Sequence, residues 1–419
     1  MFAIIDINNF YASCERVFNP KLRDKPIVVL SNNDGCIIAR SNEAKILGIK
    51  MGQVFFEKEN FLKEKNVQVF SSNYPLYADM SNRMVQTVQE LVGDVIIYSI
   101  DEVFVDLSSN KNKNLEEFAI EIKKRIYKHT GLPVSIGIAP TKTLAKIANF
   151  YAKRYKKFSN VLVLNDEKKI EQALELIDVG EIWGVGRRFK KFLKANSIKS
   201  ALDLKNANQS FIHKHMSVIG LRTVKELNSY SCIDVESIKE DRKNITHSRT
   251  FKHPISNIED FKAAIATFTV RVSEKLRNQN SAANIIGINM ETSRFNNDYS
   301  YRQTKIVNLP VPTDNTFELI NYVMKLIDAT FSKELKYKKA GVMLLALQDA
   351  LNIQYSLFDT YDRPKFKKII NSVDSLNKIM GRDTVRYGTQ GKNTKISVQE
   401  KLSPQYTTSW QHIIEVNTN

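Results

Sequence analysis

With 419 residues the chain is long enough for several domains and at least one sizeable hydrophobic core. Its formal charge of +17 suits a protein that lies along a polyanion, because each phosphate neutralised releases condensed counterion, although a ribosome-bound or RNA-binding protein would show the same excess. Three cysteines, Cys14, Cys36 and Cys232, without CxxC spacing indicate neither a disulfide framework nor a zinc site, and the lack of a leader pattern or a membrane-length apolar run points to a cytoplasmic protein with no membrane partner.

The first expected element is a strand over Phe2 to Ile7, interrupted by Asp6 and followed by the aromatic pair Phe10 and Tyr11. A helix containing Tyr77 to Leu91 precedes a hairpin over Ile96 to Leu107, which carries the pair Asp101 and Glu102 between β-branched and aromatic runs. A carboxylate in such a run is costly to desolvate unless positive charge meets it. Magnesium, which takes hard oxygen ligands, is a natural partner. On these residues alone the bland reading stands beside it: Asp-Glu as a hairpin turn and Asp6 as a strand-end polar residue. Adjacent residues of an ideal strand point to opposite faces, so Asp101 and Glu102 converge only if the hairpin bends there. Asp106 fits a strand-end or surface carboxylate better than a ligand.

A helix near Leu115 to Tyr127 and a strand over Val134 to Ile138 follow. The next helix runs to Lys153, with an apolar face of Leu144, Ile147, Ala148 and Tyr151 and a basic side that is either phosphate-facing or solvated. Farther on, Gly184 and Gly186 permit a tight turn into a basic helix, Arg187 to Ala195, whose first amides could bind a phosphate oxygen. Val218 to Arg222 continues the helical region to about Tyr230, and 231–243 reads as a polar linker. Beyond it the pattern gives strand Ile245 to Phe251, helix Phe261 to Asn278, strand Asn284 to Thr292, strand Ser300 to Leu309, helix Thr316 to Phe331 and strand Ala340 to Leu347, a βαββαβ order. The tail lacks a continuous apolar period except for a possible helix over Phe366 to Met380.

Asp6-Ile-Asn-Asn-Phe-Tyr-Ala-Ser-Cys-Glu15 resembles the opening motif of Y-family DNA polymerases, and Ser99-Ile-Asp-Glu102 resembles their second catalytic motif. Within that family, Val28 to Cys36, Ser71 to Met80 and Leu402 to Thr408 resemble the UmuC type, in order and nearly end to end. The resemblance implies an α+β multidomain fold: a right-hand palm (1–20 and 75–165), small fingers (21–74), a helical thumb with a helix-hairpin-helix-like element (166–230), a linker (231–243), a βαββαβ little finger (244–348) and a C-terminal extension (349–419).

It also implies error-prone, template-directed translesion synthesis in the DNA-damage (SOS) response, without a proofreading domain in this chain. Two Mg2+ ions, one delivered with the deoxynucleotide, would be held by Asp6, Asp101, Glu102 and the Ile7 carbonyl. Tyr11 would be the steric gate against ribose. Asn42, Lys45 and Lys153 would contact the triphosphate, with Asn42 and Lys45 standing where many relatives carry Tyr and Arg. Gly184, Gly186, Arg187 and Arg249 would contact DNA, and Gln354, Leu357 and Phe358 would bind the sliding clamp. Partners implied are primed damaged DNA, deoxynucleoside triphosphates, a processed UmuD-type dimer and a RecA-type filament. The alternatives are a palm-type nucleotidyl cyclase and a catalytically idle DNA-binding scaffold at stalled forks.

Overall fold

The computed structural model describes residues 1–108, 114–234, 241–293, 300–359, 361–391 and 399–414. The chain forms two compact units, one of Met1–Ile238 with Glu400–Asn419 and one of Lys239–Gln399. Among the described residues no helix is long and apolar enough to cross a membrane.

The first unit opens with β1 (Phe2–Ile7) and α1 (Phe10–Phe18), followed by β2 (Ile27–Leu30), β3 (Ile37–Arg40), α2 (Asn42–Ile46), α3 (Phe55–Glu64) and β4 (Gln68–Ser71). Strands β3, β2 and β4 make a three-stranded sheet with its own core of Val28, Leu30, Ile37, Ala44, Ile49, Leu62 and Val67. Its strands are only four residues long. Such short runs, interleaved with turn residues, leave little periodicity to read, and this sheet was not anticipated strand by strand.

Next come α4 (Tyr74–Val92), β5 (Ile96–Ile97), β6 (Glu102–Asp106), α5 (Leu115–Thr130), β7 (Val134–Ala139), α6 (Lys142–Arg154) and β8 (Val161–Val163). The larger sheet has the order β5-β6-β1-β7-β8, with β1 at its centre. Strand alternation divides β1 between two cores. Ala3, Ile5 and Ile7 pack in the cluster that includes residues of α4 and α5, whereas Ile4 joins the cluster of α6. Helix α6 comes close to the sheet because Gly137, paired with Ile4, offers no side chain. A Cβ there would lie 2.2 Å from the Asn149 amide nitrogen and 2.3 Å from the Ala145 carbonyl oxygen.

Four helices complete this region: α7 (Glu167–Leu176), α8 (Arg187–Ala195), α9 (Ala201–Lys205) and α10 (Gln209–Leu227). Helix α8 has the expected bounds. Helix α10 is kinked at Ser217, whose φ of 61° and ψ of −171° are not helical, and Val218 to Arg222 continues the helical region beyond the kink as far as Leu227.

The second unit contains β9 (Ile245–Ile255), α11 (Ile258–Asn278), β10 (Ser281–Thr292), β11 (Arg302–Thr313), α12 (Thr316–Thr330) and β12 (Tyr337–Asp349), the expected βαββαβ order. Each helical crossover skips one strand: the sheet order is β11-β10-β12-β9, antiparallel throughout. After it, α13 (Arg363–Ile379) lies within the same unit. The Arg277 guanidinium donates to both carboxylate oxygens of Asp374 at 2.6 and 2.8 Å and anchors that helix.

The tail expected as one extension is therefore divided. Helix α13 packs on the second unit, whereas residues 400–406 return to the first, where the Ser71 amide donates to the Lys401 carbonyl at 2.9 Å.

Because Gly137 faces helix backbone, overpacking there cannot be relieved by a rotamer change. Gly137→Ala should destabilise the first unit by about 1–3 kcal/mol, seen as a lower denaturation midpoint for that unit. An unchanged midpoint would contradict the close approach of α6.

Candidate active site

The site begins with the alternation of β1, which sends Asp6 to the same face as Ile4, toward α6. Asp6 pairs in register with Glu102, the first residue of β6. Asp101 precedes that strand in a bend, and its carbonyl accepts the Ile7 amide at 2.9 Å. The hairpin thus bends where convergence of the acids requires it. Ser99 Oγ donates to Asp101 Oδ1 at 2.6 Å and accepts the Asp101 amide at 3.3 Å, which fixes the carboxylate. Asp106 lies at the far end, opposite Phe2, where Ser108 donates to it through its amide and hydroxyl.

The basic side of α6 faces the sheet. Lys142 lies over the Phe2 ring at 4.3 Å. Lys146 pairs with Glu102 at 2.9 Å, and Lys153 with Asp6 at 2.5 Å. The three lysines follow β1 and β6 as a stripe, each meeting a π face or a carboxylate. Lys146 also stands 4.3 Å from the Tyr98 ring and 5.5 Å from Trp183, whose indole donates to the Tyr98 hydroxyl at 2.9 Å. Burial pushes the Asp6 carboxyl up to about 7; Lys153 opposes the rise, while Glu102 and Asp101 add to it.

A cleft of about 380 Å³ brings together Asp6, Ile7, Tyr11, Lys45, Asp101 and Lys153 with Arg40 and Asn9. Glu102, held by Lys146, is not among its lining residues. Among the described residues no three acidic, His or Cys side chains converge as a ready-made metal cage.

Asn42 stands behind Asn9, which donates to Asn42 Oδ1 at 3.0 Å and accepts from Lys45 Nζ at 2.6 Å. Asn9 itself takes the left-handed conformation, with φ 52°, as the N-cap of α1. Burial and the positive charges of Arg40 and Lys153 lower the Lys45 pKa, against which Asp6 acts. The Tyr11 ring stacks on Tyr77 with centroids 4.4 Å apart and 14° between planes, and burial pushes its hydroxyl up to about 12. Phe10 is in the core, as expected of it.

Arg40, Asn9 and Lys146 were missed from sequence. Arg40 closes a four-residue apolar strand and reads as a surface end, and the partners of Lys146 lie far away in the chain.

The remaining expected contacts lie elsewhere. Gly184, with φ 90°, makes the turn before α8, Gly186 caps that helix, and Arg187, exposed, opens it. In the second unit Arg249 shares the helix-packed face of β9 with Ile245 and Phe251, opposite Ala340. The open sheet face carries instead Thr246, Ser248, Thr250, Arg302, Thr304 and Lys339, with Gly287 and Gly341 at its centre. Leu357 and Phe358 are 100% and 90% exposed, beyond the end of β12.

The impB/mucB/samB family matches residues 5–149 and that family's C-terminal domain residues 242–357. Protein UmuC of Salmonella typhimurium is 40% identical over 99% of this chain and 100% of its own length. The chain belongs to the impB/mucB/samB family of Y-family DNA polymerases. Its enzyme class is DNA-directed DNA polymerase.

Protein ImpB of Salmonella typhimurium is likewise 40% identical, over 99% of both chains. DNA polymerase IV 1 of Bacillus subtilis is 27% identical over 92% of this chain and 91% of its own. A solved Y-family DNA polymerase chimera of Dbh and Dpo4 shares the fold with a TM-score of 0.64 and 21% identity, covering 83% of this chain and all of that one. A domain of unknown function matches residues 367–416, which span the two portions of the divided tail.

Proposed function

We propose that the chain extends DNA primers opposite damaged template bases by two-metal nucleotidyl transfer, in the cytoplasm and as part of an SOS-type damage response. The observation that carries this reading is the cleft that joins two carboxylates, Asp6 and Asp101, to the cations Arg40, Lys45 and Lys153 and to Tyr11. Carboxylates alone would suit a metal, and cations alone a phosphate. Their combination suits a metal-bound triphosphate.

The donors fit magnesium. Asp6, Asp101 and the Ile7 carbonyl are hard oxygen groups lining one cleft, and the repulsion of Asp6 by the neighbouring Asp101 and Glu102 charges is one that a dication would relieve. Asp6 and Asp101 would hold both ions, and Glu102 would join one of them after exchanging Lys146. Bound magnesium would lower the pKa of the primer 3′-hydroxyl and neutralise the leaving pyrophosphate.

The chain's own residues do the rest. Arg40 and Lys45 bind triphosphate oxygens, and Asn9 orients Lys45. Lys153 neutralises Asp6 in the nucleotide-free chain and turns to the triphosphate when Asp6 coordinates metal. Tyr11 lies under the sugar and excludes a 2′-hydroxyl. Arg187 and the glycine turns of the helical region hold the DNA backbone. The open sheet face of the second unit, with its glycines and hydroxyl side chains beside Arg302 and Lys339, which both pair with Glu291 at 3.3 and 3.7 Å, suits close approach of a second stretch of backbone.

The exposed pair Leu357 and Phe358, with Gln354, is the proposed clamp-binding peptide. A processed UmuD-type dimer and a RecA-type filament are the proposed protein partners. Trp410, Ile413 and Ile414, all exposed, are the apolar positions of the tail suited to such contacts. Because the tail packs on both units, point substitutions at these positions probe docking more cleanly than deletion of 360–419, which would strip α13 and the returning segment from their supports.

Asp101→Asn should leave the fold intact and lower single-turnover primer extension on a primed template by about a thousandfold or more; near-normal extension would remove the metal assignment. Tyr11→Ala should raise ribonucleotide incorporation relative to deoxynucleotide by at least about tenfold, measured as a ratio of kcat/KM values, and an unchanged ratio would return Tyr11 to a packing role. Replacing Gln354, Leu357 and Phe358 with Ala should abolish binding to a bacterial sliding clamp in a calorimetric titration while unassisted insertion persists, since a tether supplies local concentration rather than chemistry. Equal clamp affinity after the change would exclude the peptide.

A further inference from the structure

Behind the Tyr11 ring lies a buried acid that the proposed chemistry does not use. Glu15, on the face of α1 turned from solvent, is 1% exposed. The Tyr77 hydroxyl donates to Glu15 Oε1 at 2.6 Å, and Ser403 Oγ donates to the same oxygen at 3.1 Å. Burial pushes the Glu15 carboxyl up to about 7, with both hydrogen bonds opposing the rise. The second hydroxyl therefore comes from a residue 388 positions along the chain, delivered by the segment that returns to the first unit.

That segment is fastened at several points. Asn73, which caps α4 and is fully buried, donates through Nδ2 to the Ser403 carbonyl at 3.2 Å, to Ser403 Oγ at 2.9 Å and to the Pro404 carbonyl at 3.1 Å. The Lys401 amide donates to Ser71 Oγ at 3.0 Å. Tyr406 stacks on Phe18, at the end of α1, with centroids 4.6 Å apart and planes 9° from parallel. The strap thus grips α1, which carries both Tyr11 and Glu15, and the start of α4, which carries Tyr77.

The contacts form one line: strap, Ser403, Glu15, Tyr77, Tyr11. Tyr77 is fully buried, its ring is the stacking floor of Tyr11, and its hydroxyl is held by the carboxylate that Ser403 helps to satisfy. We propose that residues 401–406 act as a positioning strap for sugar selection, in which Ser403 and Glu15 hold Tyr77 and thereby set the plane of the Tyr11 ring against the nucleotide sugar. This rests on the reading of Tyr11 as the steric gate. It assigns to the tail a role inside the catalytic unit, beside any surface it offers to partners.

The test is single-nucleotide insertion by the full-length chain on a primed template, with kcat/KM measured for one deoxynucleotide and the matching ribonucleotide. Tyr77→Phe removes the hydroxyl and keeps the ring; Ser403→Ala removes the strap's donor without touching the aromatic stack. Each should raise the ribo-to-deoxy ratio by roughly threefold to tenfold, the change that one lost buried hydrogen bond makes. Ser403→Thr, which restores a hydroxyl, should bring the ratio back. In a Tyr11→Ala background neither change should raise the ratio further, because the ring they position is gone.

If Tyr11→Ala raises the ratio while Tyr77→Phe and Ser403→Ala leave it unchanged, the strap inference falls and the gate reading stands. If Tyr11→Ala itself leaves the ratio unchanged, the gate reading falls first. Equal effects of the two changes with and without Tyr11 would show that they act on the cleft generally, which also overturns positioning through Tyr11.

Discussion

The arrangement of the catalytic unit depends on one constraint: a carboxylate, Asp6, stands buried on the central strand of a sheet and must be met by positive charge. Helix α6 supplies it. Its lysine stripe can reach Asp6 and Glu102 only because the helix lies close to β7, and it lies close only because residue 137 has no side chain. Sheet alternation, the glycine and the lysine spacing thus form one device. Any of them taken alone would look unremarkable in the sequence.

That device also decides which partners the two acids have. Lysine ammonium groups are displaceable partners, strongly hydrated point charges on flexible stems. They satisfy Asp6 and Glu102, and on the proposed reading they would yield to a dication with a smaller rearrangement than a bidentate arginine would require. Lys45, which stands where many relatives carry arginine, belongs to the same pattern. With Asn9 holding its ammonium and Arg40 beside it, Lys45 is one member of a cation group rather than a lone clamp.

Legibility in the sequence followed the range of the interaction. Strand β1, helix α8 and the βαββαβ order of the second unit were readable because periodicity and glycine turns are local signals. Asp6, Asp101 and Tyr11 were readable from motif phrases, and the cleft does bring these three together. The partners of the charges were not readable, since Lys153 and Lys146 meet acids brought near only by the fold. Arg249 shows the same limit in another form: the resemblance implies a DNA contact for it, but register assigns it to the helix-packed side of β9, while the open face mixes glycine and hydroxyl residues with Asn289, Glu291, Met343 and Ile306. The kink at Ser217 escaped notice because serine carries no strong signal for a non-helical ψ.

The divided tail has a consequence for how the chain is born. Asn73 and Ser403 are 330 residues apart, and the whole second unit is translated between them. At about 5–20 residues per second, tens of seconds pass before the strap can reach its seat. During that interval Glu15 lacks one of its two hydroxyl donors, and α1 and α4 lack their common fastening. The nascent first unit therefore lacks these contacts until residues 401–406 have been made, after the whole of the second unit.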